Sequence, residues 1–345
     1  MSKKIHITFI INPISGNQDK DEIPKMIEEE IDSKRFDMDI RMTEHKGHAA
    51  EIAKECASKG IEVVVAVGGD GTVNEVARSL THTQTALGII PCGSGNGLAR
   101  HLCIPMNIRK ALKIINQCQI EAFDYGIINS IPFFCTCGMG FDAFISLKFA
   151  EAGKRGPITY VENVLKEGLK YKPETYEVED DTGAKKYKAF LIACANASQY
   201  GNNAYIAPGA TMQDGELDVI VMEPFNALDA PQVAADLFMK TLTNNSKIKT
   251  FRTKRLHITR QEPGAIHYDG DPIMTGKDID VHIEPQGIRI LTNPEKKEDT
   301  DGANFLLNAF SDFFNNINNV REDIEKTGHR MLIINKVMLR KLSKL

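Results

Sequence analysis

The residues of this chain whose types and spacing could do chemistry sit on glycine turns. The stretch VVVAVGGDGTVNEVARSL, residues 63–80, passes from a β-branched run through Gly68, Gly69 and Gly71 into a helical pattern. A strand, a tight turn and a helix start gather backbone N–H groups in one concavity, and the helix dipole adds positive potential, so the turn suits an anion. Glycine tolerates positive φ and lets a ligand come close to the backbone. Thr72 and Glu75 have capping-box spacing at the head of the helix. Neither common phosphate signature applies, because the loop lacks GxGxxG spacing and no GxxxxGKS or GxxxxGKT occurs in the chain. Asp70 is the informative residue. A carboxylate beside a phosphate repels it unless a cation or a transferable proton lies between them. Mg²⁺ bridging Asp70 to a nucleotide is one solution, and Asp70 handling a substrate hydroxyl is the other. Both point to phosphoryl transfer from ATP.

Two more polar, glycine-bearing turns follow apolar runs in the same half. GIIPCGSGNGLARHL places Gly93, Ser94, Gly95, Asn96 and Gly97 between a strand and a helix, and NPISGN ends the first strand. Turns at the carboxyl ends of neighbouring parallel strands converge on one crevice, where open α/β sheets bind ligands. FFCTCGMGFDAFISL contains GxGxxA between a strand and a helix, and alone it suggests a dinucleotide site. The acidic strand end expected about 20 residues later is missing, so an NAD-dependent oxidoreductase is disfavoured. Gly138 and Gly140 read instead as points of close chain approach beside an acceptor pocket, with Asp142 as polar lining. His45, His48 and His101 lack metal-ligand spacing and read as solvated or capping side chains.

The elements that must carry these turns are legible in the pattern. KIHITFIIN, IEVVVAV and ALGIIP read as strands, the second buried on both faces, and helical spacing fills the intervals. The expected fold is therefore an N-terminal α/β nucleotide-binding domain with a parallel sheet over residues 1–122, rejoined by 286–296. Residues 123–285 read as a mainly antiparallel β-rich domain, interrupted by helical stretches near 141–170 and 226–243. A polar linker and a helical tail, residues 297–345, complete the chain. The tail mixes Met, Leu and Ile with Arg340, Lys341 and Lys344. It reads as an amphipathic helix packed on the protein or a dimer partner, or as a basic helix on an anionic membrane.

Composition bounds the function. The chain has 345 residues and a net charge of −4, which argues against a general nucleic-acid binder. None of the seven cysteines forms a CxxC pair; Cys135 and Cys137 alternate in an apolar run and read as core thiols, which fits a reducing cytoplasm. No run of 18 apolar residues suggests a spanning helix.

GGDGTxNE, then PxGSGN, with NPxSG at the amino end, resembles the diacylglycerol kinase catalytic family, which includes bacterial lipid kinases and sphingosine kinases. The resemblance covers about residues 4–295, and the spelling GSGNGLAR is similar to the sphingosine-kinase form. It implies a two-domain kinase with ATP and Mg²⁺ in the cleft. It assigns nucleotide contacts to Asn12, Ser15, Gly16 and Thr43, to the span from Gly68 through Gly69, Asp70, Gly71 and Thr72 to Asn74, and to Gly93, Ser94 and Asn96. AIHYDGDPI is by itself a tight hairpin signal. The resemblance adds that this turn carries the catalytic carboxylates. Asp269 matches the family's Asp, and Asp271 stands where Glu is usual, one methylene shorter, so either residue could be the base. APGATMQDGELDVIV is similar to a segment that holds a second Mg²⁺, through the Asp214 carboxylate and the carbonyls of Thr211 and Glu216. Its other reading is a plain hairpin-entry turn. The implied activity is a lipid kinase acting transiently at the inner membrane face on a diacylglycerol or sphingoid acceptor, with a homodimer left open. An NAD kinase shares GGDGT but does not account for the GSGN and DGD turns together. A non-catalytic nucleotide sensor is the rival of another class.

Overall fold

The structure is a computed structural model, and it describes residues 3–14, 22–152, 171–226 and 229–295. Ser15, Gly16, and the linker and tail at 297–345 lie outside the described residues. The N-terminal half alternates strand and helix as its pattern predicts. Strands β1 (Ile5–Ile11), β2 (Phe36–Met42), β3 (Val63–Gly68) and β4 (Ala86–Pro91) are parallel neighbours in the order β2-β1-β3-β4. Every residue of β3 and β4 is buried, as continuous aliphatic runs between two helical layers must be. Helices α1 (Ile23–Glu30), α2 (His48–Ser58), α3 (Asp70–Leu80), α4 (Gly97–His101) and α5 (Ile108–Gln117) fill the crossovers. Asn107 caps α5 by accepting the Lys110 N–H.

The second half is mostly antiparallel. A six-stranded sheet runs in the order β12 (Ile248–Thr253), β11 (Leu217–Met222), β10 (Leu191–Ala195), β7 (Thr136–Gly140), β14 (Gly264–Tyr268), β15 (Asp271–Thr275). Helices α6 (Phe141–Ala152) and α7 (Ala230–Phe238) interrupt its strands in sequence. The remaining strands extend the N-terminal sheet to ten. β16 (Asp278–Leu291) joins it parallel to β4, followed by β13 (Arg255–Arg260), β8 (Glu174–Asp180) and β9 (Gly183–Ala189). β5 (Ile120–Ile128) pairs antiparallel with β16, and with β6 (Ile131–Phe133) on its other side. The boundaries expected at 122 and 286 therefore fall inside paired strands, β5 and β16. Strand periodicity reveals which face is buried but not which sheet a strand joins.

Candidate functional site

The described glycine turns meet at the carboxyl ends of the parallel strands. Gly69 and Gly93 touch backbone to backbone, since a Cβ on Gly93 would lie 2.6 Å from the Gly69 Cα. This approach is what the two glycines make possible. Asp70 then stitches the turns together, as its two carboxylate oxygens accept the N–H of Asn96 and of Gly97, each at 2.8 Å. Asn96 adopts φ +52° at the start of α4, and its side chain closes the turn by accepting the Gly93 N–H and donating to the Gly93 carbonyl. Ser94 is exposed at the tip. Gly71 is exposed, with open space around the position a Cβ would take.

The expected capping box does not form. Gly69 is the N-cap of α3 and makes no side-chain cap bond. The Thr72 hydroxyl instead accepts from the Asn12 amide at the end of β1, and Glu75 accepts the N–H of Gly47. Both partners come from elsewhere in the fold, which local spacing cannot foresee. Thr43 lies beside this edge with its N–H on the Ile11 carbonyl, and Asn74 is buried within α3.

The distant DGD turn is a two-residue hairpin between β14 and β15. Asp269 has φ +51° and Gly270 φ +86°, the conformation that favours Asp-Gly in such turns. The Asp269 carboxylate points inward and accepts the backbone N–H groups of Phe134, Cys135 and Thr136 at 2.9, 2.7 and 3.2 Å. Burial raises its pKa above the ordinary range, against the pull of those amides and of the Arg78 cation. Asp271 is different: its side chain is 56 % exposed, and Arg78 Nη1 lies 3.9 Å from it. The Cys135 thiol is pushed well up by burial first, then by the charges of Asp269 and Asp70.

Among the supporting residues, Asn196, His267 and Arg78 were not singled out by spacing. Asn196 donates to the carbonyls of Asp124 and Phe134, and its N–H goes to the Cys135 carbonyl. The loop it begins runs to Gly201, which packs on Gly95, and to Asn202, whose N–H donates to the Gly95 carbonyl. His101 packs beneath this loop, its Nδ1 within 3.0 Å of the Ser198 hydroxyl, and burial lowers its pKa to about 4. His267, one strand residue before the hairpin, has Nε2 3.0 Å from Asp142, which also accepts from Tyr200. A Cβ on Gly138 would lie 2.3 Å from that Asp142 oxygen, and on Gly140 2.7 Å from the Phe190 carbonyl, so both glycines serve close approach. The one signal for Arg78 is its place on the same helical face as Asp70 and Asn74, at four-residue intervals.

The Asp214 turn carries its own counter-ion. Arg252 bonds the Asp214 carboxylate and reaches Glu216 at 3.2 Å and Asp218 at 3.7 Å. The second Asp214 oxygen accepts the Glu216 N–H. A resident divalent cation here would have to displace the guanidinium, so these residues do not fit one as they stand. At the head of α2, His45 and His48 stack with ring centroids 4.6 Å apart, and His48 Nδ1 accepts the N–H of Glu44 upstream of the helix, which has no side-chain cap bond.

With this geometry in hand, comparison with known proteins is direct. Residues 6–128 match the diacylglycerol kinase catalytic domain, and residues 136–292 match the YegS C-terminal NAD kinase beta sandwich-like domain. A probable lipid kinase YegS-like protein of Citrobacter koseri is 29 % identical over 266 residues, covering 74 % of this chain and 86 % of that protein. The probable lipid kinase YegS of Escherichia coli is 27 % identical over 263 residues, with the same coverage. A putative diacylglycerol kinase from Bacillus anthracis shares the fold, with a TM-score of 0.69 and 24 % identity over 86 % of this chain and all of that one. Two matched domains in the expected order, on a fold that brings their motifs together, place the chain among the lipid kinases of the diacylglycerol kinase catalytic-domain family.

Proposed function

We propose that this kinase transfers the γ-phosphoryl group of MgATP to a hydroxyl of a membrane lipid, of the diacylglycerol or sphingoid type. The observation that carries the reading is the packing of the DGD hairpin on the helix that begins at the glycine loop: Arg78 of α3 lies over the Tyr268 ring at 4.8 Å and faces Asp271 at 3.9 Å. Under this reading the nucleotide-side and acceptor-side carboxylates would face one cleft. Asn12, Thr43, Gly68–Asn74, Gly93, Ser94 and Asn96 would line the nucleotide side, with Ser15 and Gly16 beyond Asn12. Asp269 spends its oxygens on backbone amides, so its role is to fix the turn. Asp271 is the carboxylate left accessible, and we assign it the general base. It orients the lipid hydroxyl for in-line attack while the loop amides and the substrate's Mg²⁺ offset the charge spread over the phosphoryl oxygens.

The acceptor side favours an apolar substrate. Ile273, on the same face of edge strand β15 as Asp271, is 38 % exposed. Among the described residues no helix is long and apolar enough to cross a membrane. Under this reading, lipid is reached from the membrane surface.

The test is incubation with γ-labelled ATP, Mg²⁺ and a panel of lipids in mixed micelles, beside NAD. Label in an organic-extractable product supports the reading, and Asp271→Asn should lower its kcat at least ~100-fold, the scale of a lost general base, with the KM for ATP within about twofold. Label only in NADP refutes a lipid acceptor. ATP binding without turnover of any acceptor favours a nucleotide sensor.

A further inference from the structure

Arg78 stands where the nucleotide-side helix meets the acceptor-side hairpin. Helix α3 carries it, two turns beyond Asp70 on the same face. The side chain is only 24 % exposed. Its Nε donates to the Pro132 carbonyl at 3.2 Å, at the strand that leads into the Phe134–Thr136 amides. Its guanidinium lies over the Tyr268 ring, 4.8 Å from the centroid, at the residue that enters the DGD turn. Its Nη1 faces Asp271, which leaves the same turn, at 3.9 Å. Its Nη2 is the one buried side-chain nitrogen without a hydrogen-bond partner among the described residues.

Two of these facts need explaining together. A separation of 3.9 Å is longer than a charge-assisted hydrogen bond, normally about 2.7–2.9 Å. A buried guanidinium N–H left idle is costly, and native structures keep few such groups except where function uses them. One edge and one face of the guanidinium are already committed, to Pro132 and Tyr268, so the group is anchored and its remaining N–H groups are held in reserve. Asp271 is the accessible carboxylate nearest to it.

We propose that Arg78 is the positioning residue for the base: anchored on α3, it holds the Asp271 carboxylate in a fixed orientation relative to the glycine loop, closing to a bidentate pair when substrate binds. The proposal rests on the reading of Asp271 as the general base of the lipid kinase. It gives the short Asp271 side chain a fixed place relative to the nucleotide helix. The same cation also helps keep the Asp269 anchor ionised. Lysine could supply the charge but not the planar fork, the ring stacking or a second parallel N–H.

The test compares Arg78→Met and Arg78→Lys in wild-type and Asp271→Asn backgrounds, on full-length protein with lipid micelles and labelled ATP. Arg78→Met should lower kcat about 30-fold or more with the KM for ATP within about twofold, and Arg78→Lys should recover part of the loss. In the Asp271→Asn background the same Arg78→Met change should cost less than about threefold, because its target is gone. Equal fold-losses in both backgrounds overturn the proposal. If Asp271→Asn leaves no turnover to measure, the lysine comparison decides: equal loss for Lys and Met, with melting temperatures lowered in proportion to kcat, marks a purely structural arginine and overturns it. A wild-type protein that phosphorylates no lipid removes the underlying reading first. Lipid turnover with additive losses removes only the role of Arg78.

Discussion

Asp70→Ala should melt the junction of the glycine turns before it affects any chemistry. Each Asp70 oxygen accepts one backbone N–H at 2.8 Å, from Asn96 and from Gly97. Hydrogen bonds to a charged acceptor contribute roughly 1.5–3 kcal/mol each. Water will reach part of the vacated space, because Asp70 is itself half-buried, so a net loss of about 3 kcal/mol is the working figure. For a folded unit of this size each kcal/mol moves the melting temperature by roughly 2 °C, which gives about 6 °C. Asp70→Asn should lose about half of that, since its amide keeps one acceptor but turns a donor toward the other N–H. The assay is thermal unfolding by circular dichroism without nucleotide, paired with hydrogen exchange at the Asn96 and Gly97 amides, whose protection should drop in the alanine variant. A variant that melts within 1 °C of wild type, with both amides still protected, would refute this account of the loop. Asp70 would then act only on the reactants.

Arg252→Ala should cost about 1–2 kcal/mol, the sum of three partly exposed ion pairs, and should create a cation site from Asp214, Glu216 and Asp218. In nucleotide-free melts, 10 mM Mg²⁺ should then return about 1.4 kcal/mol to the variant for a Kd of about 1 mM and leave the wild type unmoved; a wild-type gain abolished by Asp214→Asn would refute it. His101 makes stability fall with acid. Its folded pKa of about 4 lies below the ordinary 6.5, so the unfolded chain takes up a proton first, and stability present above pH 6.5 is lost as pH falls toward 4. The stability of wild type relative to His101→Gln should decline by about 3 kcal/mol across that window in denaturant titrations, and a pH-independent difference would exclude the assignment.

The sequence was most informative where the determinant is local. The buried runs of β3 and β4 are visible as uninterrupted aliphatics, and the Asp269-Gly270 turn is visible because its two positive φ angles demand that dipeptide. Spacing was incomplete where a partner arrives from far along the chain. Thr72 has the spacing of a cap but bonds Asn12, sixty residues away. Asp214 reads as a metal ligand, yet Arg252 reaches it through the β11–β12 register, which pairs Arg252 with Asp218. Asp70 reads as a ligand to substrate cation or hydroxyl, and its nearest bonds are to the neighbouring turn. Arg78 looks like one more polar residue of an amphipathic helix until Tyr268 and Asp271 are folded against it.

The shared ten-stranded sheet has an elastic consequence. A hinge between two lobes needs loop or terminal residues that absorb large backbone rotations. Here β5 and β16 cross between the parallel and antiparallel regions as hydrogen-bonded neighbours, so any rotation of one region against the other would twist a stiff ribbon rather than swing on linkers. The ribbon has one compliant point, where the register shifts between Glu284 and Ile288. Asp124 clamps it there, taking the Gln286 N–H on one oxygen and the Gly215 N–H on the other. A buried carboxylate at the root of this strand pair therefore ties its register shift to the Asp214 turn.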